Sequence, residues 1–127
     1  MTQLEPIESD AAPAAVGAYS QAVRAGDFVF TAGQVGVDPA TGNLEEGVAA
    51  QAERALSNLA GILEVAGSSL NRVVKATIFL SDMADFGVVN EAYSAVFSAP
   101  FPARSTFAAR ELPLGAKVEI ECVGLVG

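Results

Sequence analysis

Histidine is absent from this chain, and cysteine occurs once, as Cys122. Without an imidazole, the Ser-His and Cys-His nucleophilic arrangements are closed to it. Zinc sites draw on His and Cys, so one Cys with no His argues against a metal centre. Cations are scarce too: seven Lys and Arg face fifteen Asp and Glu, for a formal charge of -8. Such a surface repels phosphate backbones and carries no basic stripe, so nucleic acid is not an expected partner. The bland reading of the acidic surface is solubility. No apolar run approaches the roughly 20 residues of a membrane helix, so no membrane partner is expected. Met1 to Pro6 lack the basic start and apolar core of a signal peptide. With one cysteine and no export signal, the expected compartment is the cytoplasm, without a disulfide. The glycines are scattered, and none belongs to a phosphate-cradling Gly-x-x-x-x-Gly-Lys loop. Any catalysis falls to carboxylate, tyrosine, hydroxyl, arginine, backbone and water.

What is present is a core. The chain has 127 residues, 51% of them apolar, which suits one domain and excludes disorder. Residues 1–12 read as a flexible N-terminal arm and 13–127 as a single domain. Short extended segments over 16–25 precede a compact strand at 28–32. Asp38-Pro39-Ala40-Thr41-Gly42-Asn43 is turn chemistry. Over 47–66, Val48, Ala52, Ala55, Leu56, Leu59, Leu63 and Ala66 recur at helical spacing. Glu45 and Glu46 suit the start of that helix, and Gly67 suits its C-cap. Val73–Leu80 is a strand with Lys75 and Thr77 on one face and Val74, Ala76, Ile78 and Leu80 on the other. A second helix is expected over 85–97, with Phe86, Val89, Tyr93 and either Val96 or Phe97 inward. Strands over Ala103–Ala108 and 117–126 finish the chain, separated by Leu112-Pro113-Leu114-Gly115. The order predicts an α+β sandwich, with both helices on one face of the sheet. The last strand keeps a mixed second face (Glu119, Glu121, Val123, Leu125) that two helices cannot reach. Such a face predicts burial against another copy of the chain.

One residue stands out within this pattern. Arg104 sits in a run that otherwise reads as a buried strand, and a guanidinium among apolar neighbours is costly without an anion opposite. Its planar fork matches a carboxylate two bonds at a time. Two readings stand: Glu119 or Glu121 neutralises it as a structural ion pair, or a ligand anion does.

A set of segments then resembles one family. Ala12-Pro13-Ala14-Ala15-Val16-Gly17-Ala18-Tyr19-Ser20-Gln21-Ala22-Val23, Ala32-Gly33-Gln34, Asp38-Pro39-Ala40-Thr41-Gly42, Phe86-Gly87-Val88-Val89-Asn90, Phe101-Pro102-Ala103-Arg104-Ser105 and Val118-Glu119-Ile120-Glu121 look like the signature segments of the Rid (YjgF-type) family. These are the reactive-intermediate imine/enamine deaminases, and the match runs from about Ala12 to Val126. The resemblance implies a chorismate-mutase-like fold: a mixed sheet with two helices packed on one face, assembled as a homotrimer with sites between subunits. It implies hydrolysis of 2-imino acids, formed from 2-aminoacrylate or 2-aminocrotonate, to 2-keto acids and ammonia. No cofactor and no metal are implied. Carried over by position, Arg104 matches the arginine that grips the substrate carboxylate. Glu119 matches the carboxylate that holds the attacking water, and Tyr19 the tyrosine near the reacting carbon and nitrogen. Gly33 and Thr106 match positions whose backbone completes the pocket. Asn90 matches an asparagine of structural or pocket role.

The chemistry is sound on its own terms. A protonated imine carbon is already electrophilic, so its hydrolysis needs an oriented water and proton movement. Holding the carboxylate supplies orientation, which can replace roughly 7 kcal/mol or more of barrier. Nearby, a carboxylate base is typically worth about 10²- to 10⁴-fold. Arg104 would lower the pKa of a close Glu119, whereas burial would raise it. Four departures from the family pattern bear on substrate range. Ala18 and Gly36 stand where prolines are usual, which predicts a looser Tyr19 loop and a looser pocket wall. Thr106 replaces a frequent cysteine, and Phe107-Ala108-Ala109-Arg110 replaces a Val-Glu-Val-Ala type of run. Plainer roles remain for the same residues: Tyr19 as packing with a satisfied hydroxyl, Asn90 as a mid-helix structural residue, Cys122 as a small buried hydrophobe. A trimer that binds 2-keto acids without turning them over is the competing function, and a ribonuclease or translation inhibitor is a third. The -8 charge and the missing histidine pair weigh against the last.

Overall fold

The computed structural model describes residues 3–127. Strands β1 (Leu4–Ile7), β2 (Ala22–Ala25) and β3 (Phe28–Thr31) form an antiparallel meander. β3 pairs with β7 (Val118–Leu125), which in turn runs antiparallel to β5 (Val73–Leu80). β6 (Ala103–Ala108) closes the far edge parallel to β5. A parallel neighbour requires a crossover, and helix α2 (Phe86–Val96) supplies it. The short β4 (Gln34–Val35) also pairs with β7, beyond the end of β3. The seven-stranded mixed sheet therefore runs β1-β2-β3-β7-β5-β6, with β4 off that path.

Helix α1 (Val48–Val65) buries Ala52, Ala55, Leu56, Leu59, Ile62 and Leu63 at three- and four-residue spacing. They meet Val118, Ile120 and Cys122 of β7 and Ala76, Ile78 and Leu80 of β5 in one core. α2 joins that core through Val89 and Tyr93, with Phe97, not Val96, completing its inward face. Both helices pack on one face of the mixed sheet, as the order of elements predicts. The other face stays open: Phe28 is 40%, Phe30 48% and Phe107 49% exposed.

Three local expectations need correction. The expected flexible arm is ordered over its described residues, because β1 pairs with β2 and residues 9–13 are tied to Gln21. Met1 and Thr2 lie outside the described residues. The buried Gln21 amide accepts from the Ser9 N–H (2.6 Å) and donates to the carbonyls of Ser9 (3.1 Å) and Pro13 (2.7 Å). Val74 leaves the core face: a bulge between Val73 and Lys75 shifts the register, so Val73 is buried and Val74 is 37% exposed. The start of α1 uses Gly47 at φ 87° and has no acidic residue in its first turn. Glu45 is instead drawn to Arg54 at 3.0 Å.

Candidate active site

Glu119 lies on β7 between the core residues Val118 and Ile120, so strand alternation turns it to the sheet face away from the helices. It lines a cleft of about 760 Å³ with Tyr19, Gly33 and Gln34. The segment Pro13, Ala14 and Val16, the turn residues Pro39 and Gly42, and Pro113 and Leu114 form its walls. A Cβ added at Gly33 would run into the Glu119 carboxylate, with Cδ only 2.8 Å away, so the Glu119 side chain would have to move. Tyr19 stands 54% exposed at this cleft. Burial lifts the Glu119 pKa above its ordinary value, and the charge of Glu121 adds to the rise. Within one chain burial is the larger cause, and Arg104 is not among the causes.

Arg104 belongs to a second cleft, of about 350 Å³, lined by Asn90, Tyr93, Ser94, Phe101, Pro102 and Arg104 itself. Its Nη1 donates to Asn90 Oδ1 at 2.7 Å. The guanidinium carbon stands 4.8 Å from the Tyr93 ring centroid and 5.5 Å from that of Phe86. Among the described residues the ion pairs are those of Arg54 with Asp38 and Glu45, so Arg104 has no acid partner within its own chain. Of the two sequence readings, the intrachain ion pair with Glu119 or Glu121 is excluded by position. Arg104 pairs with Ala76 on the buried, helix-covered side of the sheet, while Glu119 pairs with Phe79 on the open side. The sheet stands between them.

The predicted site residues thus divide into two groups. Glu119, Tyr19 and Gly33 share one cleft, and Arg104 and Asn90 share the other. Thr106 lies on the Arg104 side of β6, lining neither cleft, and its buried hydroxyl has no protein partner. Gly36 stands between Val35 and Val37 of the cleft wall. It is buried against α1, where a Cβ would collide with the backbone of Gln51. Cys122 is buried, with its thiol pushed up to about 11 by desolvation, as suits a packing residue. Sequence reasoning placed Phe86 and Tyr93 in the core and missed their contact with Arg104. The signal was present in their spacing with Asn90, at 86, 90 and 93, which puts all three on one helical face. It also passed over Val16, Pro39 and Leu114 as cleft walls.

A family model described as Endoribonuclease L-PSP matches residues 9–126. The chain is 47% identical over 122 residues to the 2-iminobutanoate/2-iminopropanoate deaminase of Mus musculus, covering 95% of this chain and 90% of that protein. The crystal structure of RidA from an Antarctic Psychrobacter superposes with a TM-score of 0.93 at 48% identity, over 96% of this chain and 99% of that one. This chain belongs to the Rid family. A further Rid-fold structure, Escherichia coli TdcF with bound serine, gives a TM-score of 0.92 at 36% identity, over 97% of this chain and 99% of that one. The Rid fold therefore extends over nearly the whole chain, and both clefts belong to it.

Proposed function

We propose that this protein is a 2-iminobutanoate/2-iminopropanoate deaminase, a cofactor-independent hydrolase that turns 2-imino acids into 2-keto acids and ammonia. In this reading Arg104 grips the substrate carboxylate and Glu119 holds the attacking water, with Tyr19 beside the reacting carbon. The water oxygen adds to the protonated imine carbon while Glu119 takes a proton from it. The proton passes to nitrogen, the new hydroxyl gives its own proton back to Glu119 as the C=O bond forms and the C–N bond breaks, and ammonia leaves a 2-keto acid. The raised pKa of Glu119 suits a base, since it narrows the gap to the proton it must accept.

One observation carries the reading: an arginine without an intrachain acid and a desolvated glutamate stand in separate clefts on opposite faces of one sheet. A site that uses both takes Arg104 from one copy and Glu119 from another. The apolar open face, with Phe28, Phe30 and Phe107, supports such an assembly, and the family resemblance, which implies a homotrimer, supports three copies. The serine named with TdcF is a 2-amino acid, the same carboxylate-plus-nitrogen pattern as the proposed substrate.

The test is imine hydrolysis in a coupled assay. An amino-acid oxidase or a serine/threonine dehydratase generates the imine, and semicarbazide traps what escapes. Wild type is expected to suppress semicarbazone formation and Arg104→Ala to restore it. No suppression by wild type across several imines would overturn the reading and favour a 2-keto-acid-binding trimer. The description of the matching family raises a ribonuclease reading, which the same variant separates. RNA cleavage does not need a carboxylate clamp and would survive Arg104→Ala.

A further inference from the structure

Arg104 is held by three side chains of one helix face, and none of them is charged. Nη1 is fixed by the Asn90 amide oxygen at 2.7 Å, and the guanidinium lies against the rings of Tyr93 and Phe86. Tyr93 is itself packed in the core, only 3% exposed and stacked on Phe97 with centroids 4.3 Å apart. A half-buried arginine ordinarily recruits a carboxylate, and this chain has fifteen acids available. An acid at the place of Asn90 would make the same hydrogen bond and add an ion pair. It would also cancel the charge that a ligand carboxylate must meet. Ring faces and an amide oxygen attract the cation without neutralising it.

We propose that Asn90 and Tyr93, with Phe86, form a neutral cradle that orients Arg104 and keeps its full charge for the substrate carboxylate. Asn90 and Tyr93 are then positioning residues that act through Arg104 and set carboxylate affinity. The inference rests on the proposed deaminase reading, in which Arg104 is the clamp.

The decisive comparison is Asn90→Asp against Asn90→Ala. Asp keeps the size and the acceptor of Asn, so a merely structural role makes it the milder change. The charge argument predicts the reverse order. Asn90→Asp is expected to raise KM for the imine about tenfold or more, exceeding both its own effect on kcat and the KM change in Asn90→Ala. Affinity for 2-oxobutanoate, measured by calorimetry, is expected to fall in step while the melting temperature of Asn90→Asp does not. Tyr93→Leu is expected to raise KM as well, and Tyr93→Phe, which keeps the ring face, to restore it. Asn90→Asp with a KM and 2-oxobutanoate affinity near wild type, or less impaired than Asn90→Ala, would overturn the cradle while leaving the clamp intact. If Arg104→Ala itself leaves KM and 2-oxobutanoate binding unchanged, the clamp fails, and the cradle with it.

Discussion

Glu119 bears two costs that its proposed task requires. Burial and the neighbouring charge of Glu121 both disfavour its ionised form. A carboxyl whose folded-state pKa is raised stabilises the fold relative to its charged form. That contribution is fully present below the unfolded value of about 4.3 and is lost as pH rises through the folded value. In the unassembled chain Glu119→Gln is therefore expected to melt higher than wild type near neutral pH, with the gap closing toward pH 4 in thermal melts. In the assembled site a neighbour's Arg104 pulls against that rise, and the acidic limb of kcat/KM reports the balance of the two. In Glu119→Gln that limb is expected to vanish, with kcat lower by about 10²- to 10⁴-fold. A retained limb would assign the base to another group. The residues of this site were legible in unequal measure. Arg104 announced itself as a charge in a run that reads as a buried strand, although β6 is a half-exposed edge strand with no buried residue. Glu119 announced itself as an acid on an alternating strand. Tyr93 did not, because helical periodicity says that a residue points inward without saying whether it meets a methyl group or a guanidinium.

Among the elements, the sharpest test falls on the stretch after β4. Gly36 lies on the backbone of Gln51 in α1, where a Cβ has no room. Gln51 in turn accepts from the Lys117 N–H (2.8 Å) at the start of β7 and donates to the Glu45 carbonyl (3.1 Å). Gly36→Ala must push the helix away, and by analogy with overpacked cores it is expected to cost about 1–3 kcal/mol in denaturant unfolding. A neutral result would mean that α1 can shift freely. Gly33→Ala crowds a side chain instead of a backbone, so its damage is expected in kcat more than in stability. Elements long enough to repeat a period were readable: β5 and β6 match their predicted limits, and α1 and α2 come within a residue or so of theirs. Three features have no such period. β1 and β4 are four and two residues long, and their strand character comes from partners far along the chain. The bulge at Val74 is a register event, invisible to an alternation rule that assumes every residue counts. The ordering of residues 9–13 hangs on one buried amide, Gln21, and no composition rule distinguishes an anchored segment from a loose one.

For the whole molecule, the separation of Arg104 from Glu119 has a direct test. Arg104→Ala and Glu119→Gln chains are each expected to be inactive alone. Unfolded together in equal amounts and refolded, they form some interfaces that pair an intact arginine with an intact glutamate. Random assembly makes that fraction one half times one half, so about a quarter of wild-type activity is expected to return. Failure to recover any activity, with mixed oligomers demonstrated, would place both groups in one chain's site. The open sheet face with its phenylalanines already hinted in the sequence at a second copy, through the mixed face of β7. The number of copies was not written there, since alternation records burial and carries no symmetry.

The two-sided sheet has a further consequence for the working protein. If neither cleft is complete without a neighbour, specific activity is expected to fall once dilution takes the protein below the concentration at which its copies separate. Below that concentration, turnover would be lost faster than protein, and imine clearance would respond to expression as a threshold.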